Sequence, residues 1–290
     1  MQVLLQSLLN GILLGGLYAV IGMGMSLIFG IMGLINLAHG DLIIVSTYLA
    51  MVVAVNFSGN ILVALLIAVV VMIVLGFFFQ NVLINRVLDK GAEPPLLITF
   101  GLSVILQNTL QLIFGADAKS IPTTLSAQNV ITTPWFSISA IYLIDFAVSI
   151  LVILLLHFII MKTYFGRAIR ATSGDVVASE LLGLNTKRIY AVTMALAMIT
   201  ASIAGLLVGM TFTYYPTTGT EYLIIAFGVV VIGGMGSMIG TLLGGIILGL
   251  AQILGSYFFG MAYQLFFGYV VLLVILTFRP QGLFASRNRS

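Results

Sequence analysis

The stretch KTYFGRAIRATSGDVVASELLGLNTKR, Lys162 to Arg188, is the longest polar, charge-rich run in the chain, and unbroken apolar segments flank it on both sides. It holds five of the eleven Lys and Arg residues, namely Lys162, Arg167, Arg170, Lys187 and Arg188. The flanks decide the fold. Of the 290 residues 61% are hydrophobic and only 7% charged, with a mean hydropathy of +1.24. A soluble domain needs roughly 25% charged residues to cover itself. The apolar runs match the roughly 20 residues that cross a bilayer as helix. The reading is an all-α polytopic membrane protein, a single transmembrane domain over 1–290 whose main polar loop is 162–188. Barrel strands alternate in short segments, so a β-barrel is disfavoured.

Working outward, candidate spans fall at about 4–29, 36–55, 61–84, 96–115, 139–161, 189–212, 222–254 and 262–278, which makes eight or nine membrane segments. No basic residue precedes Arg86, so no cleavable signal peptide is expected. Arg86 and Lys90, the 162–188 loop, and Arg279, Arg287 and Arg289 alternate with the spans so as to share one side; only Lys119 falls on the other. The positive-inside rule makes the shared side cytoplasmic. Parity then requires 222–254 to break near Gly233–Gly240 and places the N-terminus outside.

Two apolar runs are interrupted. Gly30–Asp41, GIMGLINLAHGD, sets Asn36, His39, Gly40 and Asp41 between two spans; Gly228–Gly240, GVVVIGGMGSMIG, does something similar with Gly233, Gly234, Gly236 and Ser237. Discontinuous helices in the two halves of a chain point to a repeat-built transporter with its pathway between the halves. The alternative is that both are ordinary interhelix turns, with Asn36 and Asp41 as caps. Glycines four apart (Gly11/Gly15, Gly205/Gly209, Gly236/Gly240/Gly244, Gly245/Gly249) read as smooth packing faces. On the fourth span Ser103, Gln107 and Gln111 share one face, near Thr99, as interhelical hydrogen bonds or as pathway lining. Asp145 and His157 sit near opposite ends of one span, where headgroups can accommodate them.

Enzyme chemistry finds little support. There is no G-x-x-x-x-G-K-[ST] loop for ATP, no H-E-x-x-H, and no cysteine. No acidic residue occupies a clear span centre, where a secondary transporter carries its coupling carboxylates. Energy is therefore expected from outside the chain, through the polar loop. Within it Asp175–Leu182 reads as a short helix with Ser173 or Asp175 as N-cap and Gly183 as C-cap. Val177/Leu181 and Ala178/Leu182 give it an apolar face. Two turns are too short to stand alone. The face either docks into a partner's groove or lies on the bilayer, with Arg167 and Arg170 meeting phosphates.

The same residues resemble a known family. Gly166-Arg-Ala-Ile-Arg170, Asp175–Gly183 and GLNTKR at 183–188 look like the coupling loop of branched-chain amino acid ABC transporter permeases of the LivH/LivM type. NLAHGD at 36–41, TFGLSVILQ at 99–107, GGMGS at 233–237 and RPQGLF at 279–284 resemble further motifs of that family, in order along the chain and closest to its LivH-like branch. Ile225 departs from it, standing where many members carry Lys, and 255–264 lacks the charges often seen there. The resemblance implies a type II ABC importer-like helical bundle of two inverted-repeat halves, multi-pass in the bacterial cytoplasmic (inner) membrane. It implies import of branched-chain or related hydrophobic amino acids, with urea, amides or other amino acids as alternative substrates of the same architecture. The alternative from a different class is a stand-alone secondary transporter or channel. The implied partners are a LivM-like second permease, two ABC ATPase subunits that bind ATP and Mg, an extracytoplasmic solute-binding protein and the lipid bilayer. No cofactor in this chain and no nucleic acid are implied. The coupling residues would be Gly166, Arg167, Arg170, Asp175, Val177, Ala178, Leu181, Leu182 and Gly183.

Overall fold

The computed structural model describes residues 2–57, 59–91, 93–123, 125, 128–133, 136–279 and 281–284. Arg287 and Arg289 lie outside the described residues. Among the described residues eleven α-helices follow one another: α1 (Gln2–Met32), α2 (His39–Asn56), α3 (Ile61–Val82), α4 (Glu93–Phe114), α5 (Ala140–Lys162), α6 (Tyr164–Gly174), α7 (Val176–Leu181), α8 (Thr186–Thr211), α9 (Gly219–Gly233), α10 (Met238–Phe259) and α11 (Gln264–Phe278). A small antiparallel hairpin, β1 (Asn129–Thr132) with β2 (Ser137–Ser139), precedes α5. Eight helical stretches among the described residues are long and apolar enough to span a membrane, and α9 is a ninth, shorter apolar helix. The expected break in 222–254 is present: α9 stops at Gly233 and α10 starts at Met238.

Burial divides the helices into a core and a shell. α1 and α8 are buried almost all round, whereas α3, α4, α5 and α11 turn apolar side chains outward, among them Leu62, Phe100, Leu154 and Phe278. A helix apolar on every face sits either in a core or against lipid; this chain uses both. The core is tight because glycines remove side chains where backbones meet. A Cβ on Gly15 would overlap the backbone of Ile246, and one on Gly249 would meet the carbonyl of Gly11, so α1 and α10 lie backbone to backbone. Tyr18 crosses that seam to donate to Oε1 of Gln252 at 2.7 Å, and Thr241 donates to Ser26 at 3.0 Å.

The packing has an internal symmetry. α1 packs along α10 and α3 along α8; α2 lies on α8 and α9 on α1. Exchanging α1 with α8, α2 with α9 and α3 with α10 maps this pattern onto itself. Ile31 near the end of α1, Ile169 of α6 and Ile189 at the start of α8 share one cluster, with Leu88 packed against it. α1 therefore runs toward that end of the bundle and α8 away from it, so the two halves are inverted. Arg86, Lys90, Lys162, Arg167, Arg170, Lys187, Arg188 and Arg279 gather at this end, with Leu283 N bonded to the carbonyl of Ile232 there. At the opposite end Lys119 exchanges two backbone hydrogen bonds with Tyr214, and Gln6 holds Ser137.

Candidate functional site

The 31 residues of α1 give a rise of about 46 Å at roughly 1.5 Å per residue, well beyond a hydrocarbon core of about 30 Å. Its successor does not start where it ends. After Met32 the chain runs non-helically through Gly33–Ala38, and Nε2 of His39, the first residue of α2, lies 3.0 Å from the carbonyl of Ile21. Ile21 is eleven residues before the end of α1, about 16 Å back along its axis. α2 thus begins within the length of α1. Backbone polar groups in such a re-entrant segment survive only if protein covers them. Here Asn36, fully buried, accepts from Ala38 N at 3.0 Å through Oδ1, His39 N returns to the Asn36 carbonyl, and Leu37 N donates to Thr99 at 3.2 Å.

The equivalent break in the second half is Phe212–Thr218, between α8 and α9, rather than Gly233–Ser237. Tyr214 is fully buried there against Tyr48, edge to face at 5.1 Å, and Tyr48 stacks on Phe114 at 4.5 Å. α9 then rises for only 15 residues, about 22 Å, too short to cross alone. Gly233, Gly234, Gly236 and Ser237 form the reversal between α9 and α10, where Ser237 caps α10 by accepting from Gly240 N at 3.0 Å and Gly236 packs on Gly30. They lie at the basic end, apart from the group around Asp41.

The start of α2 meets the start of α9. A Cβ on Gly40 would collide with the carbonyl of Gly219, and one on Gly219 with the side chain of Asp41. Glycine at both positions lets two helix N-termini come together inside the bundle. Asp41, 1% exposed, sits at this junction. Its two oxygens accept from α4, Oδ2 from the Ser103 hydroxyl at 2.5 Å and Oδ1 from Gln107 Nε2 at 2.9 Å. Gln107 also reaches Thr220, in the first turn of α9, at 3.2 Å. A carboxylate in the first turn of a helix is favoured by the partial positive charge of the unbonded N–H groups, and here a second N-terminus adds to the first. Asn36, His39, Gly40, Asp41, Thr99, Ser103 and Gln107 are thus one constellation. Thr220 and Gly219 complete it; the only trace of them in the sequence is the polar run TYYPTTGTE at 213–221. Gln111 stands clear of Asp41, exposed on the same face of α4.

Two further residues differ from expectation. Asp145 is fully buried, with Oδ2 accepting from Thr211 at 2.9 Å, so α8 rather than headgroups accommodates it. His157, half-buried, lines a cavity of about 290 Å³ at the basic end with Arg170 and Ser173.

At the basic end the polar loop forms two helices, not one helix with a lead-in. Thr163 caps α6, and Gly166 packs so tightly on the Ile159 and Ile160 carbonyls that no side chain fits. Arg170 donates to the Ile160 carbonyl and faces Met161 Sδ at 3.6 Å, so it ties α6 to the end of α5. Arg167 is exposed, over the ring of Tyr164 at 5.5 Å. Asp175 caps α7 by accepting from Ala178 N at 2.9 Å, and beyond its last residue the chain turns away at Gly183 with φ +84°. Ser179 faces inward, while Val177, Leu181 and Leu182 are 68%, 84% and 80% exposed, beside an exposed Ala178.

An inverted pair of helical halves, each broken where the two meet, with a capped apolar helix standing off the basic end, defines a membrane permease built on an internal repeat. The chain belongs to the family described as branched-chain amino acid transport system / permease component, whose model matches residues 7–276. It is 32% identical over 96% of its length to the high-affinity branched-chain amino acid transport system permease protein BraD of Pseudomonas aeruginosa, covering 95% of that protein. It is 31% identical over 96% to the permease protein LivH of the same kind of system in Escherichia coli K12, covering 94% of it. Among solved structures, PsaBC from Streptococcus pneumoniae in complex with Fab is similar at a TM-score of 0.49 and 12% identity, over 94% of this chain and 91% of that one.

Proposed function

We propose that this chain is a membrane-spanning permease subunit of an ABC importer for branched-chain or related hydrophobic amino acids, driven by separate ATPase subunits that dock on α7. The observation that carries the docking is α7 itself. A six-residue helix cannot hold together on propensity, yet both its ends are capped and its apolar residues face outward. Such a face suits a groove on a partner. The gathering of basic residues at the same end supports a cytoplasmic orientation for it, and with it an ATP-rich side for docking. The names of the relatives support the substrate class and a place in a system of several components. A second permease chain and a solute-binding protein at the opposite end are the further partners that the resemblance of the motifs implies. The polar face of α4, running from Ser103 through Gln107 to the exposed Gln111, is the wall of the translocation pathway, since exposed amides at membrane depth are costly against lipid.

Leu181→Asp combined with Leu182→Asp tests this reading. In cells carrying the other subunits, leucine uptake and co-purification of the ATPases fall to background while the permease stays in the membrane at normal level and melting temperature. Unchanged uptake would remove α7 as the docking element. Substrate movement by the reconstituted chain alone, driven by an ion gradient, would remove the ABC reading altogether.

A further inference from the structure

α4 is the least embedded of the helices that reach the site. Its outer face carries Leu97, Phe100, Val104, Ile105, Leu112 and Ile113, all exposed. Its main packing partner is α2, through apolar residues such as Leu102 and Leu110. Among the described residues its long-range polar bonds end on the two re-entrant elements: Thr99 accepts from Leu37 N, Ser103 and Gln107 donate to Asp41, and Gln107 donates to Thr220. Asp41 therefore touches three helices at once, lying in α2, receiving α4 and packing on Gly219 of α9.

Gln107 is over-subscribed. Its amide nitrogen has two N–H groups but three oxygens around it, Asp41 Oδ1 at 2.9 Å, Thr220 Oγ1 at 3.2 Å and Ser103 Oγ at 3.5 Å. The contact to Ser103, on α4 itself, is the longest, so the two protons go to Asp41 and Thr220. Of these the bond to α9 at 3.2 Å is longer than the charge-assisted one to α2 at 2.9 Å and is the first to be given up. We infer that Asp41 is the positioning residue that fixes α4 against the meeting point of α2 and α9, and that Gln107 is the latch through which it acts. The latched arrangement is the closed one; letting go of Thr220 frees the α4 face to move away from α9. The inference rests on the reading of α4 as a pathway wall.

The chain contains no cysteine, so nitroxide labels placed at Leu112→Cys and Ile224→Cys, both exposed positions on α4 and α9, report their separation without background. In lipid nanodiscs the parent pair gives one narrow distance distribution. Gln107→Leu, which keeps the side chain's bulk and removes its bonds, shifts it to longer distance and broadens it. Asp41→Ala does the same. The double variant shifts it by less than the sum of the two single variants, because the Asp41–Gln107 bond is common to both. Gln111→Leu, on the same face without a bond to Asp41, leaves the distribution unchanged. Gln107→Leu carries the test should Asp41→Ala fail to fold. An unchanged distribution in Gln107→Leu, or an equal shift in Gln111→Leu, overturns the latch. The measurement uses no ATPase, so a failure of the importer reading would show in uptake assays and leave this result standing.

Discussion

Replacing Asp175 separates the two ways in which α7 could matter. Asp175 Oδ1 accepts from Ala178 N at 2.9 Å, and the side chain is exposed. Asp175→Ala removes an N-cap worth about 1 kcal/mol, in a range of roughly 0.5–2. On a six-residue helix there is little else local to absorb that loss. One kcal/mol is about a fivefold change in the ordered fraction, and apparent affinity scales with the fraction that is competent to bind. ATPase binding should therefore weaken by up to about fivefold. Asp175→Asn keeps a cap of equal rank and removes the charge, so it should bind like the parent. The assay is titration of detergent-solubilised permease with purified ATPase subunit, read by microscale thermophoresis, with melting temperature followed in parallel. The bundle should melt at the same temperature in both variants, because α7 contributes only Ser179 to its buried interior. If Asp175→Asn weakens binding as much as Asp175→Ala, the carboxylate is a direct contact and the capping argument fails. If neither weakens it, α7 is not the docking element.

Two further outcomes concern the seam between α1 and α10. Gly15→Leu inserts a side chain where the backbone of Ile246 already lies; overpacking of about 1–3 kcal/mol or more is expected, seen as a lowered melting temperature and loss of monodispersity in size-exclusion chromatography, and a parent-like profile would refute the close packing. Tyr18→Phe strips the buried Gln252 side chain, whose Nε2 already lacks a partner in the structure, of its hydrogen bond; this should cost about 1–3 kcal/mol. Adding Gln252→Leu to Tyr18→Phe should restore most of the loss, and a double variant less stable than the single one would contradict the pairing.

The features legible in the sequence were those whose cause is local. Asp175 and Gly183 bracket α7 because capping acts within four residues, and the structure places both ends accordingly. The break at Asn36–Asp41 could be seen because polar residues interrupt an otherwise apolar run. The break at Gly233–Gly240 was legible too, but the counterpart of the first break was not, for a physical reason: Tyr214–Glu221 has the composition of any surface loop, and nothing within it says that it folds back into the bundle. That is decided by Gly40 meeting Gly219 across 178 intervening residues of chain. Asp145 misled in the same way, since its burial is made by Thr211 on another helix. The role of Arg170 in tying α6 to α5 also depends on tertiary placement, which charge patterning cannot express.

The seam between the first helix and the tenth sets the order in which the molecule can be made. α1 leaves the ribosome long before α10, since the partner of Tyr18 is encoded 234 residues later. Until α10 has been inserted, the glycine face of α1 has no backbone to rest on and must be held by lipid, by the insertion machinery or by a provisional neighbour. Folding therefore cannot be completed helix by helix as synthesis proceeds. A nascent chain that stalls before Met238 is membrane-embedded but unfinished, its narrow glycine groove open to other proteins and to the proteases that survey the bilayer.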